Sequence, residues 1–173
     1  VLLLRTSMEL GLIEGELDED AYASLEKDLN AFPEALSIML NEKSGFLRNL
    51  ARLTSSVKNW MFLGCGIYFP VAMESALKMK EVTYLHAEGM SAGFLKHGTL
   101  SMIESSVHSL FFVPMPEEKQ LHERTLIAIE EIKTRGGTLV GLFFEGDSEA
   151  AARLDHAVEL PHVPVLLAPL LEM

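Results

Sequence analysis

The chain has 173 residues, of which 49% are hydrophobic and 23% are charged, and its formal net charge at pH 7 is -11. This length suits one domain of ~100–200 residues with a helical piece attached, and the composition excludes a disordered or fibrous protein. The acidic residues are spread along the chain and the Lys and Arg residues form no basic run, so nucleic acid is not an expected partner.

The single cysteine, Cys65, excludes an internal disulfide and a zinc site built on several cysteines. The absence of a possible internal disulfide favours a reducing, cytoplasmic location. No apolar run approaches the ~18 residues of a membrane span, and Val1 to Leu4 lack the basic region of a signal peptide, so we expect no membrane contact. The missing initiator Met and the apolar carboxyl end lead us to expect a fragment of a larger protein.

Amphipathic periodicity over the first 56 residues predicts helices, the second of which is interrupted by Pro33. The predicted helices cover residues 2–11, 20–40 and 44–53. After Ser56 the pattern changes to short apolar runs that alternate with helical segments. We therefore divide the chain into a helical segment at residues 1–56 and a second domain at residues 57–173, cut short at its carboxyl end.

Continuous apolar runs in the second domain predict four buried strands, at residues 59–63, 109–113, 138–144 and 157–160. Helices are predicted between them, at residues 70–85, 117–134 and 149–154. This alternation predicts an α/β fold with three layers, in which helices cover both faces of a parallel sheet. Ligands of such folds collect at the carboxyl ends of the strands, which points to Gly64-Cys65-Gly66 and to the loops after Val113 and Phe144.

Gly64-Cys65-Gly66 follows a predicted strand and precedes a predicted helix. Two interpretations stay open: a phosphate cradle at the helix N-terminus, or a tight turn that needs small residues for close packing. Phe69 stands where a dinucleotide fingerprint has its third glycine, so we expect no nicotinamide or flavin cofactor.

Glu74, Lys78 and Glu81 are spaced by four and three residues, which places their side chains on one helix face. Such a stripe is typical of a solvated face with salt bridges. It also suits an ammonium group that tunes a neighbouring carboxylate for proton transfer. Periodicity alone does not choose between these interpretations.

Two further motifs contain histidine. His86-Ala87-Glu88 matches half of the zinc deaminase signature, but the second half needs two cysteines, so we reject a zinc site. His97 lies in a predicted loop at residues 93–98, which is bounded by glycines. There it is either a surface residue without a function or an acid-base group. The remaining histidines show no ligand spacing and receive no role: His108, His122, His156 and His162.

Four segments, at residues 62–66, 76–81, 84–88 and 92–98, resemble in order and spacing the second sugar isomerase (SIS) domain of the glucosamine-6-phosphate synthase family. Weaker resemblance covers nearly the whole chain. The chain departs from the family at Cys65, where Arg is common, and at Thr99, where Pro is common.

The resemblance implies an isomerase that converts fructose 6-phosphate and glutamine-derived ammonia to glucosamine 6-phosphate. It implies Glu81 as the base that moves a proton between C1 and C2, Lys78 as its charged neighbour, and His97 as the ring-opening group. Together with the turn motif, this predicts substrate contacts from Gly64, Gly66, Glu81 and His97, and we expect no cofactor and no metal.

The same resemblance implies a homodimer in which His97 reaches the active site of the other subunit. The family's glutaminase domain, its first SIS domain with the phosphate loop, and its tail lysine have no counterpart among the 173 residues. Two other functions stay open: a SIS-type deaminase that releases ammonia from glucosamine 6-phosphate, and a non-catalytic phosphosugar sensor. The presence of Lys78, Glu81 and His97 together argues against the sensor, which needs no base.

Overall fold

Five parallel strands form one sheet in the computed structural model, which describes residues 1–172. The strand order is β2-β1-β3-β4-β5. The strands are β1 Asn59–Gly64, β2 His86–Ser91, β3 Val107–Phe112, β4 Thr138–Phe144 and β5 His156–Leu160. The helices are α1 Leu2–Glu14, α2 Glu19–Leu53, α3 Tyr68–Thr83, α4 Lys119–Lys133, α5 Ser148–Ala151 and α6 Ala168–Leu171. The predicted α/β fold with a parallel sheet between helices is confirmed.

The described residues form two compact units, Val1–Glu42 and a second unit that begins at Lys43. In the first unit, the Arg5 guanidinium donates a hydrogen bond to Asn30 Oδ1 at 2.7 Å, which joins α1 to α2. The sheet lies wholly in the second unit. The division of the chain at residues 1–56 and 57–173 stays a prediction.

The prediction that Pro33 interrupts the second helix is wrong, because α2 runs unbroken through it for 35 residues. A proline inside a helix removes one backbone hydrogen bond and costs about 3 kcal/mol. Leu29, Phe32 and Met39 are buried on one side of α2, whereas Pro33 is exposed. Burial of that apolar stripe therefore outweighs the lost hydrogen bond.

The sequence predicts four strands, but the sheet has five, and the strand missing from the prediction is β2. This strand lies at the edge of the sheet and pairs only with β1. Ala87 is its one buried residue, so β2 lacks the continuous apolar run by which the other strands are recognised. The prediction of a loop after β2 is also wrong, because Ala92–His97 forms a 3-10 helix in which Ala92 and Leu95 are buried.

Alternate residues of the strands point to opposite faces of the sheet. On one face, Phe111 and Leu139 pack in a core cluster with Leu95 of the 3-10 helix and with Ile129 and Ile132 of α4. We call this the α4 face. The buried side of α3 packs on the opposite face of the sheet. We call this the α3 face. The two faces follow from the strand order, because right-handed crossovers from β1 to β2 and from β3 to β4 run in opposite directions across the sheet.

Candidate active site

An ammonium group and two carboxylates meet on the outer side of α3. Lys78 Nζ lies 2.8 Å from Glu81 Oε2 and 3.4 Å from Glu74 Oε1. The hydrogen bond that Lys78 donates to Glu81, followed by the one it donates to Glu74, raises the pKa of Lys78. The Glu81 side chain is 52% exposed and the Lys78 side chain 56%. The Glu81 carboxyl group, held by an ammonium group, is therefore accessible to a ligand from solution.

The stripe faces outward because the opposite side of α3 is packed on the sheet. Tyr68, Val71, Ala72 and Ala76 are the buried residues of this helix. The backbone of β2 comes so close to α3 at Gly89 that a Cβ there would lie 2.5 Å from the Cα of Met73. This contact sets the position of the helix, and with it the positions of Lys78 and Glu81.

The turn at Gly64-Cys65-Gly66 needs its glycines for steric reasons. A Cβ on Gly64 would lie 2.2 Å from the carbonyl oxygen of Tyr68. Gly66 has a φ of 56°, a left-handed conformation that favours glycine, and a Cβ there would lie 2.7 Å from Leu121 Cδ1. The close approach of β1, α3 and α4 therefore explains why both positions are occupied by glycine.

The amide groups at the start of α3 are already used within the turn. The Tyr68 N–H donates to the Cys65 carbonyl at 3.1 Å, and the Phe69 N–H donates to the Gly66 carbonyl at 3.2 Å. Pro70 has no N–H to offer. A phosphate cradle at a helix N-terminus needs free amides, so these hydrogen bonds lend it no support. The substrate contacts of Gly64 and Gly66 stay a prediction.

Acidic groups lie behind the same turn. The buried Tyr68 hydroxyl donates a 2.5 Å hydrogen bond to Glu118 Oε2, and burial followed by this bond raises the pKa of Tyr68. Both carboxylate oxygens of Glu172 are buried and have no hydrogen-bond partner among residues 1–172. Burial, followed by the nearby Glu118 charge, raises the pKa of Glu172 well above its ordinary value.

The turn and Glu81 lie near opposite ends of α3. Thirteen helical steps separate Tyr68 from Glu81, which corresponds to roughly 20 Å at about 1.5 Å per residue. This span exceeds the length of a hexose phosphate. A sugar at Glu81 therefore lies far from the turn of the same chain.

His97 ends the 3-10 helix Ala92–His97 and is exposed. Its ring lies 5.8 Å from the ring of Phe94. The neighbouring Lys96 forms a 2.8 Å salt bridge with Glu131 of α4, which ties this segment to the α4 face. Glu81 belongs to the α3 face, and among residues 1–172 no hydrogen bond or ion pair joins it to His97. The structure thus brings Lys78 and Glu81 together but not His97.

A buried pair that the sequence analysis did not foresee joins α4 to the loop after β4. His122 Nε2 lies 2.7 Å from Asp147 Oδ2, and both side chains are buried. Asp147 Oδ1 also accepts a hydrogen bond from the Ala150 N–H at 3.0 Å, which caps α5. His122 precedes the buried Leu126 and Ile129 by four and seven residues, and this helical spacing is the signal that could have predicted its burial.

A groove of about 590 Å³ on the α3 face is lined mostly by apolar side chains, among them Leu50, Trp60, Met79 and Leu110. This lining does not suit a phosphosugar, whose phosphate and hydroxyl groups need polar partners. Within the described part of the chain, no group of three His, Cys, Asp or Glu side chains is placed to hold a metal ion. None of the described helices is long and apolar enough to cross a membrane.

Known proteins resemble this chain over nearly its whole length. It is 38% identical over 169 residues to a glutamine–fructose-6-phosphate aminotransferase (isomerizing) of Methanococcus maripaludis, with 98% of this chain and 26% of that protein covered. The enzyme of the same name from Corynebacterium diphtheriae is 34% identical over 163 residues, with 94% of this chain and 26% of that protein covered. The chain thus spans about a quarter of the length of the curated relatives it matches.

Solved structures share the fold. The C-terminal domain of glucosamine-fructose-6-phosphate aminotransferase from Francisella tularensis matches 96% of this chain and 46% of its own, with a TM-score of 0.87 and 26% identity. A putative tagatose-6-phosphate ketose/aldose isomerase from Clostridium novyi matches 88% of this chain and 41% of its own, with a TM-score of 0.74. Its identity of 19% makes this a likeness of fold alone.

The SIS domain model matches residues 54–170, which include the whole parallel sheet and the helix that carries Lys78 and Glu81. By this match, the chain belongs to the SIS domain family.

Proposed function

We propose that this chain is part of an isomerising glutamine–fructose-6-phosphate aminotransferase and that it supplies the base for ketose-aldose isomerisation. The observation that carries the proposal is the 2.8 Å contact between Lys78 Nζ and Glu81 Oε2 on the exposed side of α3. The names of the relatives support glutamine and fructose 6-phosphate as the substrates of an isomerising amino transfer, and we propose glucosamine 6-phosphate as the product.

Glu81 takes the proton from one carbon of the open-chain sugar and returns it to the neighbouring carbon. A base in this role must be charged before the transfer, and a nearby positive charge favours the charged form of a carboxylate. Lys78 supplies that charge, because a lysine ammonium group is protonated around neutral pH, and its hydrogen bonds to Glu81 and Glu74 raise its pKa further. Lys78 also limits how far the Glu81 carboxylate can move, which keeps the base in position for the transfer.

His97 opens the sugar ring in the active site of a second subunit. Within one chain, His97 belongs to the α4 face and Glu81 to the α3 face, so a sugar at Glu81 needs the imidazole of a partner. An isologous dimer provides two such shared sites by symmetry. The 67% exposed Phe94, next to His97 in the structure, would gain cover in that interface.

The described residues near Glu81 include no phosphate cradle, and the chain spans only 26% of its relatives. We therefore expect the rest of a longer polypeptide to bind the phosphate. The 173-residue chain by itself should show no synthase turnover and only weak binding of fructose 6-phosphate, which calorimetry would measure. Micromolar affinity would contradict this expectation.

The test of the base is Glu81→Gln in the full-length polypeptide, because glutamine keeps the size of the side chain but cannot accept the proton. We expect isomerisation to fall by about 100-fold or more, the usual contribution of a positioned acid-base group. Exchange of solvent deuterium into the sugar at C1 and C2 reports the proton transfer directly. Glu123→Gln, an equally small change at an exposed position of α4, is the matched control and should leave the exchange rate unchanged.

Near-normal exchange by Glu81→Gln would place the base elsewhere. Wild-type protein that binds the sugar without any exchange would favour a sensor. Ammonia release from glucosamine 6-phosphate in the absence of a glutaminase domain would favour a deaminase.

A mixed dimer tests the shared site. Chains carrying Glu81→Gln and chains carrying His97→Ala should each be inactive alone. A heterodimer of the two has one intact site, so an equal mixture should recover about a quarter of wild-type activity when subunits assort at random. No recovery in a mixture proven to contain heterodimers would refute the shared site.

A further inference from the structure

Tyr84 is the one non-glycine residue among residues 1–172 with a positive φ. Its backbone has a φ of 59° and a ψ of 16°, the left-handed conformation, at the carboxyl end of α3. Glycine fills such a position without strain, whereas a tyrosine Cβ crowds its own carbonyl group. The chain therefore keeps a tyrosine where its own backbone favours glycine.

The backbone conformation is imposed by the short connection between α3 and β2. The Tyr84 N–H donates to the Lys80 carbonyl at 3.0 Å. The next residue, Leu85, donates its N–H to Thr83 Oγ1 at 3.3 Å, and Thr83 Oγ1 donates to the Met79 carbonyl at 2.6 Å. These bonds hold the turn whichever side chain residue 84 carries.

Core packing does not explain the tyrosine either. Its side chain is 92% exposed, more than any other large hydrophobic side chain of the described residues. Neither the turn nor the core needs the ring. A strained residue that the fold does not require is typical of ligand sites, where the strain is retained for a contact.

That contact lies beside the proposed base. Tyr84 follows Glu81 by three residues, and its N–H still bonds to the Lys80 carbonyl as in a helix, so its Cα lies about one turn beyond Glu81 at the exposed end of α3. Lys78 and Glu81 end in charged groups. A tyrosine has an apolar ring and a polar hydroxyl tip, which match the C–H groups and hydroxyl groups of a sugar chain.

We infer that Tyr84 contacts the open-chain phosphosugar bound at Glu81 and covers the reacting carbons. The inference rests on the proposed function and deepens it. A ring in this place excludes water from a base that is 52% exposed in the free chain. Exclusion of water strengthens the interaction between Glu81, Lys78 and the sugar.

Two variants test the inference. Tyr84→Gly removes the ring and relieves the backbone, so the melting temperature of the chain should rise by about 2–4 °C, a typical shift for relief of this kind in a chain of this size. In the full-length polypeptide, the same variant should raise the KM for fructose 6-phosphate by about 10-fold. Tyr84→Phe keeps the ring and loses the hydroxyl, and its KM should lie between that of Tyr84→Gly and wild type.

A gain in stability together with a loss of substrate binding cannot come from a merely structural role. The inference is overturned if Tyr84→Gly keeps the wild-type KM, if its melting temperature falls, or if its loss of activity accompanies dissociation of the dimer in sedimentation. Glu81→Gln, measured in parallel, separates the two ideas. If it stays active, the proposed function fails; if it is inactive while Tyr84→Gly is normal, only the role of Tyr84 fails.

Discussion

Gly89→Ala should destabilise the fold and displace the helix that carries the proposed base. The added Cβ would lie 2.5 Å from Met73 Cα and 2.7 Å from the Ala72 carbonyl oxygen. Both contacts are with backbone, which cannot rotate away as a side chain can. To restore an ordinary carbon-carbon separation of about 3.5–4.0 Å, α3 must move away from β2 by about 1 Å or more.

Overpacking of this kind costs about 1–3 kcal/mol. For a chain of this size, each 1 kcal/mol lowers the melting temperature by about 2–4 °C, so a fall of about 2–12 °C is expected. In the full-length polypeptide, a misplacement of about 1 Å can reduce activity by about 100-fold, because Lys78 and Glu81 move with α3.

The assay is thermal unfolding followed by circular dichroism, with Gly93→Ala as the matched control. A Cβ on Gly93 would meet nothing nearer than Ser91 Oγ at 3.8 Å, so this control should melt within about 1 °C of wild type or slightly above it. If Gly89→Ala melts together with the control, α3 does not approach β2 as closely as described, and the reasoning is wrong.

Two further substitutions test buried polar groups. Asp147→Ala leaves His122 buried without its partner and removes the cap on α5. It should therefore lower the free energy of unfolding, measured in urea titrations, by about 2–4 kcal/mol. Asp147→Asn keeps both contacts possible, so an equal loss in the two variants would contradict this role. Because the pKa of Glu172 is raised in the folded chain, the folded chain keeps a proton that the unfolded chain releases above the ordinary pKa of 4.5. Glu172 therefore lowers the stability of the fold as the pH rises above 4.5. Glu172→Gln should therefore raise the melting temperature at pH 7, with a gain that shrinks as the pH falls toward 4.5, and a gain independent of pH would show that the carboxyl group does not titrate in this way.

The strands in the middle of the sheet were predictable because both of their faces are buried, which produces continuous apolar runs in the sequence. The edge strand β2 was not predictable in this way, since Ala87 is its only buried residue. Pro33 illustrates the same limit. A local rule predicts a break, but burial of Leu29 and Phe32 on the same helix overrides it.

For the candidate site, the spacing of Glu74, Lys78 and Glu81 by itself determined that their side chains share one helix face, because helical geometry is local. The sequence also determined the alternation of strands and helices, and the resemblance to the SIS domain. Only the tertiary structure decided that His97 lies on the α4 face and Glu81 on the α3 face. The physical reason is that the face covered by a crossover depends on the order of strands in the sheet, and that order is set by contacts between segments distant in sequence.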